Sequence, residues 1–173
     1  MTNDQAIALI EQLNIRCVIF DIDGVMTDGS IVVDSSGNEL FKTFNVKDGL
    51  GVQMLAKAGF DLAIITGRTS TIVANRAKTL GVAHLYQGQL EKTAAFEDLI
   101  DRLGISEKQA AYIGDDRLDV PLLKRVGFSA CPADAHQSAA SVAIWQSKFN
   151  GGCGAVRELA DLLLKAKEKI NAE

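Results

Sequence analysis

The stretch that decides the fold is VIFDIDGVMTDG, from Val18 to Gly29. It begins with an apolar run, which is typical of a strand buried on both faces of a sheet. Three aspartates follow directly: Asp21, Asp23 and Asp28. Carboxylates repel one another and are costly to bury, so aspartates gathered at the end of a core strand indicate a chemical role.

Further apolar stretches alternate along the chain with stretches of helical periodicity. The predicted strands are residues 16–20, 61–65, 82–86, 109–113 and 128–131. The predicted helices are a leading helix near the N-terminus and residues 49–58, 71–80, 90–103 and 119–126. This alternation predicts right-handed βαβ units and an α/β fold with a doubly wound parallel sheet. Ligands of such folds bind at the carboxyl ends of the strands.

The rest of the chain is predicted to complete a single domain, residues 1–173. Four glycines directly after helical stretches are expected to act as left-handed helix caps: Gly59, Gly81, Gly104 and Gly127. From about residue 150 to 173 the chain is a tail, with a glycine-rich lead-in and a helix from Ala155 onward.

One segment, an insertion at about residues 29–47, interrupts the alternation. Its β-branched residues surround a Ser-Ser-Gly-Asn turn, which predicts a β-hairpin. The segment carries several apolar side chains: Ile31, Val33, Phe41 and Phe44. Two interpretations stay open, because these side chains could pack onto their own domain or against hairpins of other subunits.

Composition and charge exclude several classes of function. The net charge of −4 argues against nucleic acid or an anionic membrane surface as the main partner. No apolar run approaches the roughly 18 residues of a membrane-spanning helix, and the N-terminal residues do not resemble a signal peptide. Three scattered cysteines, with no CxxC pair, are typical of reduced thiols in the cytoplasm.

The predicted strand ends carry a set of polar residues suited to phosphate chemistry. The set consists of Asp21, Asp23, Thr66, Lys92, Asp115, Asp116 and Asp119. Paired carboxylates could bind a metal, act as acid and base, or supply a nucleophile. Hard oxygen ligands favour Mg²⁺, and a lysine with a threonine could hold phosphoryl oxygens, so the set indicates Mg²⁺-dependent phosphoryl transfer.

Four motifs resemble those of the haloacid dehalogenase (HAD) superfamily: DIDGVMTDG, IITGR, the lysine at position 92, and IGDDRLD. The resemblance implies a HAD-like, Rossmannoid fold. It implies Asp21 as nucleophile and Asp23 as acid and base, with Thr66 and Lys92 as phosphate-binding residues. It also implies a metal held by Asp115, the Asp21 carboxylate and the Asp23 backbone carbonyl, supported by two further residues, Asp116 and Asp119.

A closer resemblance is to the 3-deoxy-D-manno-octulosonate 8-phosphate (KDO 8-phosphate) phosphatases of lipopolysaccharide precursor synthesis. It rests on DGVMTDG, the hairpin, NVKDGLG, IITGRTS and the tail sequence GGCGAVRE. It implies a homotetramer with the hairpins at its centre and tails that reach a neighbour's active site.

The spacing of the motifs leaves no room for a cap domain over the site. Because an uncapped site selects poorly among small substrates, neighbouring subunits are the expected lid. Three cations are then candidates for binding a sugar-acid carboxylate: Arg68, Lys47 and Arg157. Each could equally be an ordinary surface cation.

Two other functions stay open at this stage. One is a phosphatase for a nine-carbon sialic-type acid phosphate (KDN or NeuNAc 9-phosphate), a family similar to the KDO 8-phosphate phosphatases in fold and motifs. The other is a phospho-accepting module like a response-regulator receiver, which would keep its phosphate. Asp23, two residues past the predicted nucleophile, argues against the receiver.

Asp28 lies beyond the motif's glycine and is expected to brace the loop by hydrogen bonding.

Overall fold

A computed structural model describes residues 1–170 of the chain. In chain order, its strands are β1 (Cys17–Phe20), β2 (Val32–Val33), β3 (Glu39–Phe41), β4 (Asp61–Ile65), β5 (His84–Tyr86), β6 (Ala110–Ile113), β7 (Phe128–Cys131) and β8 (Trp145–Gln146). Its helices are α1 (Asn3–Leu13), α2 (Val46–Lys57), α3 (Thr71–Leu80), α4 (Thr93–Leu103), α5 (Val120–Arg125), α6 (Gln137–Ala140) and α7 (Ala155–Ile170). No helix within this described part is long and apolar enough to span a membrane.

Six of the strands form one parallel sheet in the order β5-β4-β1-β6-β7-β8. The chain builds outward from β1 through β4 to β5, then crosses back to place β6 on the other side of β1. This reversal puts the switch point of the sheet beside β1, where such folds bind ligands. The predicted doubly wound parallel sheet is confirmed.

Both faces of the sheet are covered by helices, as the apolar strand sequences require. Val18 and Phe20 of β1 face a core that also contains residues of α1, α2, α3 and α7. Cys17 and Ile19 of the same strand face a second core, closed by α4, α5 and α6. The period-two alternation of a strand therefore divides β1 between two layers, and all four of its residues are buried.

The structure corrects the boundaries of the hairpin and of the helix after it. The second hairpin strand ends at Phe41, and α2 begins at Val46, inside the segment predicted as hairpin. The helix starts early because the Asn45 side chain accepts a hydrogen bond from Lys47 N and so caps its first turn. Two short elements, α6 and β8, were not predicted at all.

Three of the four predicted glycine caps are confirmed, and one is wrong. Gly59, Gly81 and Gly104 all have φ between 59° and 81°, the left-handed region. Gly127 has no positive φ, and α5 ends instead at an extended Val126. Gly127 is constrained by space, because a Cβ there would lie 2.0 Å from the carbonyl oxygen of Lys108.

Most of the tail is part of the fold of its own chain. Helix α7 packs on α1 and α2 and buries an apolar face that includes Leu159. The buried carboxylate of Asp48, in α2, accepts hydrogen bonds from the backbone N–H groups of Gly154 and Arg157. Helix α7 therefore belongs to the core of its own chain, and contact of the tail with a neighbour's active site stays a prediction. Residues 171–173 of the tail lie outside the described part.

The position of α7 makes a stability prediction. We expect Leu159→Ala to lower the free energy of unfolding by about 2–5 kcal/mol, because it leaves a cavity in the core. Glu168→Ala, on the exposed side of the same helix, should change it by less than about 0.5 kcal/mol. Urea unfolding of both variants measures the difference. Equal, small effects would mean that α7 is not packed in the core.

Candidate active site

The sequence-predicted polar residues meet in one cavity at the carboxyl ends of β1, β4 and β6. The cavity has a volume of about 200 Å³. Its lining residues are Asp21, Asp23, Thr66, Gly67, Arg68, Leu90, Lys92, Asp115, Asp116, Leu118 and Asp119. Two larger cavities, of about 390 and 510 Å³, are lined by residues of other parts of the fold and include none of the predicted site residues. The cavity of about 200 Å³ is therefore the candidate active site, because the predicted polar residues line it.

Lys92 is a buried cation at the centre of the site, directly before α4. Its Nζ lies 2.9 Å from Asp21 Oδ1 and 2.6 Å from Asp119 Oδ1. Burial alone would lower the pKa of Lys92, but the two carboxylates outweigh it and raise the pKa. The lysine therefore stays charged, as a group that binds phosphoryl oxygens must.

Asp119 fixes both the lysine and the loop after β6. Its Oδ2 accepts hydrogen bonds from the backbone N–H groups of Asp115 and Asp116, at 2.8 and 3.0 Å. Its Oδ1 accepts from Lys92 Nζ and from the Tyr112 hydroxyl, at 2.6 and 2.5 Å. Sequence reasoning missed Tyr112, whose only signal is one hydroxyl in an otherwise apolar strand.

The carboxylates carry more negative charge than one lysine can balance. Oxygens of Asp21, Asp115 and Asp119 all lie within 4.8 Å of one another. Burial, and then the neighbouring carboxylate of Asp119, raise the pKa of Asp21 to about 6 in spite of Lys92. Burial and the charges of Asp21, Asp119 and Asp116 raise the pKa of Asp115 to about 8.

This donor set fits a divalent cation. Asp21 Oδ1 is buried, and within residues 1–170 its charge is met by the ion pair with Lys92 Nζ at 2.9 Å, which the lysine shares with Asp119. A hard cation such as Mg²⁺ would satisfy this oxygen and neutralise the excess charge. The Asp23 side chain lies outside the carboxylate group, which agrees with the implied use of its backbone carbonyl.

The base of the hairpin also contributes to the site, through residues that no motif had marked. The Lys42 side chain is 1% exposed, and its Nζ lies 2.5 Å from Asp23 Oδ1 and 2.8 Å from Glu39 Oε1. Glu39 also accepts a hydrogen bond from the Ser70 hydroxyl, at 2.7 Å. Arg68 Nε lies 3.9 Å from Asp23 Oδ2 at the cavity edge. One side of the hairpin therefore packs onto its own domain.

Several predicted residues occupy other positions. Arg157 Nε pairs with Asp161 Oδ1 along α7, and Lys47 is exposed on α2, so neither lines the cavity. Their contact with substrate stays a prediction. Asp116 lies at the rim and accepts from Arg117 N. Asp28 braces its loop, as expected, by accepting a hydrogen bond from Ser30 N.

The parallel sheet and the aspartate–lysine site define a haloacid dehalogenase-like hydrolase, and residues 70–159 match that family. The 3-deoxy-D-manno-octulosonate 8-phosphate phosphatase KdsC of Escherichia coli K12 is 46% identical over 91% of this chain and 84% of its own length. The chain belongs to this family of KDO 8-phosphate phosphatases within the haloacid dehalogenase-like hydrolases.

Solved structures of relatives share the fold over nearly the whole chain. The phosphatase of this name from Yersinia pestis has a TM-score of 0.90 and 45% identity, covering 97% of this chain and 89% of its own. The Moraxella catarrhalis phosphatase, solved with magnesium, phosphate and KDO, has a TM-score of 0.90 and 39% identity, covering 98% and 95%. These likenesses confirm the fold and family that the motifs indicated.

The charge balance of the site predicts opposite effects for two neighbouring aspartates. At pH 7.5 the unfolded Asp115 carboxyl is fully charged, whereas its raised pKa of about 8 makes the folded, metal-free protein take up a proton there, so this carboxyl lowers stability. Asp115→Asn should therefore raise the melting temperature in EDTA and reduce the stabilisation gained from millimolar Mg²⁺. Asp119→Asn should lower stability by about 3 kcal/mol, since its carboxylate accepts four hydrogen bonds inside the protein.

Thermal unfolding with and without Mg²⁺ measures both effects. Asp101→Asn, at an exposed aspartate of α4 outside the cavity, is the control and should change neither the melting temperature nor the response to Mg²⁺. A lower melting temperature of Asp115→Asn in EDTA would contradict the proposed charge excess. An unchanged response to Mg²⁺ would contradict the assignment of Asp115 as a ligand.

Proposed function

We propose that this protein hydrolyses KDO 8-phosphate to KDO and inorganic phosphate, with Mg²⁺ as cofactor, in lipopolysaccharide precursor synthesis. The observation that carries the proposal is the buried Lys92 between Asp21 and Asp119, beside the carboxylate of Asp115. The lysine can bind one phosphate group, and the carboxylates can bind one divalent cation. Family membership and the KDO, phosphate and magnesium of the 39% identical Moraxella structure support the choice of substrate.

The proposed reaction proceeds in two steps. A carboxylate oxygen of Asp21 attacks phosphorus, the bond from phosphorus to the sugar oxygen breaks, and Asp23 protonates the departing alkoxide. Asp23 then takes a proton from water, whose oxygen attacks the aspartyl-phosphate and releases phosphate with Asp21 regenerated. Lys92 and Thr66 hold the phosphoryl oxygens. Bound Mg²⁺, held by Asp21, Asp115 and the Asp23 carbonyl, would neutralise charge between carboxylate and phosphate.

Lys42 is the proposed positioning residue for the acid. It holds one oxygen of the Asp23 carboxylate from a buried position in the hairpin. A carboxylate fixed in this way can meet the same sugar oxygen in each turnover, which is what efficient proton transfer needs. The receiver-like alternative had no use for an oriented acid beside the nucleophile, and membership of a phosphatase family sets that alternative aside.

The direct test is phosphate release from a panel of sugar phosphates, in Mg²⁺ and in EDTA. We expect KDO 8-phosphate to give the highest kcat/KM, and EDTA to abolish turnover. Asp21→Asn should abolish it as well. A preference for a nine-carbon sialic-type acid phosphate would overturn the substrate, and full activity of Asp21→Asn would overturn the mechanism.

The dependence on leaving group tests the roles of Asp23 and Lys42. Asp23→Asn should lower kcat for KDO 8-phosphate by about 10²–10⁴-fold, because the alkoxide must be protonated as it leaves. The fall should be much smaller for p-nitrophenyl phosphate, whose leaving group needs little protonation. Lys42→Met should also lower kcat more for KDO 8-phosphate than for p-nitrophenyl phosphate, but by a smaller factor than Asp23→Asn. Equal losses on both esters would show that Lys42 acts only on folding or binding.

We further propose a homotetramer in the cytoplasm, in which the hairpins pack together and neighbouring subunits cover the active sites. The hairpin supports this, because Lys42 at its base holds Asp23 while the hairpin exposes four apolar residues: Ile31, Val33, Leu40 and Phe41. A two-stranded hairpin with exposed apolar side chains is poorly stable alone. Three free cysteines support a reducing compartment.

A matched pair of phenylalanines tests the assembly. Phe41 and Phe149 are similarly exposed, at 53% and 50%, but only Phe41 belongs to the hairpin. Phe41→Asp should convert a tetramer to smaller species in light scattering and raise KM for KDO 8-phosphate, because the shared lid is lost. Phe149→Asp should leave the mass unchanged. A wild-type protein that is an active monomer would contradict the proposal.

A further inference from the structure

Two glycines of the tail are not explained by the reaction or by the assembly. Gly151 and Gly152 form a turn between β8 and α7, which we call the glycine turn. Neither residue lines the active-site cavity. Their backbone nevertheless lies directly behind the loop that follows Asp23.

The glycine turn contacts the backbone of that loop, with no side chain between them. A Cβ on Gly151 would lie 1.9 Å from the carbonyl oxygen of Gly24, and one on Gly152 would lie 2.6 Å from the carbonyl carbon of Thr27. The Gly152 N–H donates a hydrogen bond to the Val25 carbonyl at 2.9 Å. Two glycines are therefore required by the closeness of two backbones, and Gly152 also has a φ of +63°.

The opposite side of the same loop faces the carboxylate cluster. A Cβ on Gly24 would lie 2.1 Å from Asp115 Oδ2, so this loop has no free space on the side of the site. Gly24 directly follows Asp23 in the chain. A displacement of the loop by the tail would therefore move the acid and press Gly24 toward Asp115.

The glycine turn is itself held in place by other parts of the fold. The Gly151 N–H donates a hydrogen bond to Asp134 Oδ1 at 2.9 Å, in the segment after β7. Three residues further on, the Gly154 N–H donates to the buried Asp48 carboxylate of α2. Helix α7 then continues into the core. The turn is a fixed support, and it belongs to the same chain as the loop.

We propose that the glycine turn positions the catalytic loop, so that Asp23 and Gly24 take their working places only when the tail of the same chain is docked behind them. The inference rests on the proposed phosphatase function. It assigns to Gly151 and Gly152 a positioning role for the acid and base, Asp23, in addition to their part in the fold.

The chain offers a matched control for the test. A Cβ on Gly127 would also meet a backbone carbonyl oxygen, that of Lys108, at 2.0 Å, but at the opposite edge of the sheet. Gly151→Ala and Gly127→Ala therefore impose the same kind of clash in two places. Thermal unfolding of both variants, with kcat and KM on KDO 8-phosphate and p-nitrophenyl phosphate, separates positioning from stability.

We expect both variants to melt at lower temperatures than the wild type. Gly151→Ala should lower kcat for KDO 8-phosphate by about 10²-fold, the scale of a misplacement near 1 Å, and change kcat for p-nitrophenyl phosphate much less. Gly127→Ala should keep both kcat values within about twofold at temperatures where it is folded. Equal losses of Gly151→Ala on both esters, or a wild-type kcat, would overturn the proposal.

A milder pair of variants covers the case in which Gly151→Ala does not fold. Asp134→Ala removes the acceptor of the Gly151 N–H, whereas Asp134→Asn keeps an oxygen there. Asp134→Ala should show a several-fold version of the same leaving-group split, and Asp134→Asn should behave as wild type. Identical kinetics of the two variants would overturn the proposal.

The two proposals fail in different ways. If the wild-type protein hydrolyses another sugar phosphate in preference to KDO 8-phosphate, the proposed substrate is wrong. The preferred sugar phosphate then replaces KDO 8-phosphate in the comparison with p-nitrophenyl phosphate. If wild-type protein hydrolyses KDO 8-phosphate and Gly151→Ala shows no split, only the positioning role fails.

Discussion

A single buried lysine, Lys92, is the constraint on which the rest of the site depends. Its ammonium group lies between Asp21 and Asp119, at the point where three strands end. An isolated buried charge would be prohibitively costly, so the lysine requires both carboxylates in place. With Asp115 added, those carboxylates in turn exceed the charge of the lysine and call for a divalent cation. The doubly wound sheet is the scaffold that brings these residues together, although they lie far apart in the chain.

Around this centre, two segments that look peripheral in the sequence support the acid, Asp23. The hairpin places Lys42 against its carboxylate, in a buried position of the same chain. The tail places two glycines against the backbone of the loop that follows it. Both segments also have other positions in the fold, since the hairpin exposes apolar side chains and the tail completes the core.

Much of the fold could be predicted from the sequence, because buried parallel strands are short continuous apolar runs between helices. The strands β4 and β7 and the helix α3 have the predicted bounds. The elements that were missed, α6 and β8, have four and two residues, too few for a period to be visible. The start of α2 was misplaced because the Asn45 cap outweighed the strand-like residues around it.

The sequence by itself determined the family, the nucleophile loop and the set of polar residues at the strand ends. It could do so because the motifs and the apolar strands that precede them are continuous stretches of the chain. Only the tertiary structure decided the partners of those residues. That Lys42 reaches Asp23, that Tyr112 and Asp119 hold Lys92, and that the tail packs on its own chain all depend on contacts between distant segments. Such contacts leave no periodic or spacing signal, since they are set by the folding of the chain in three dimensions.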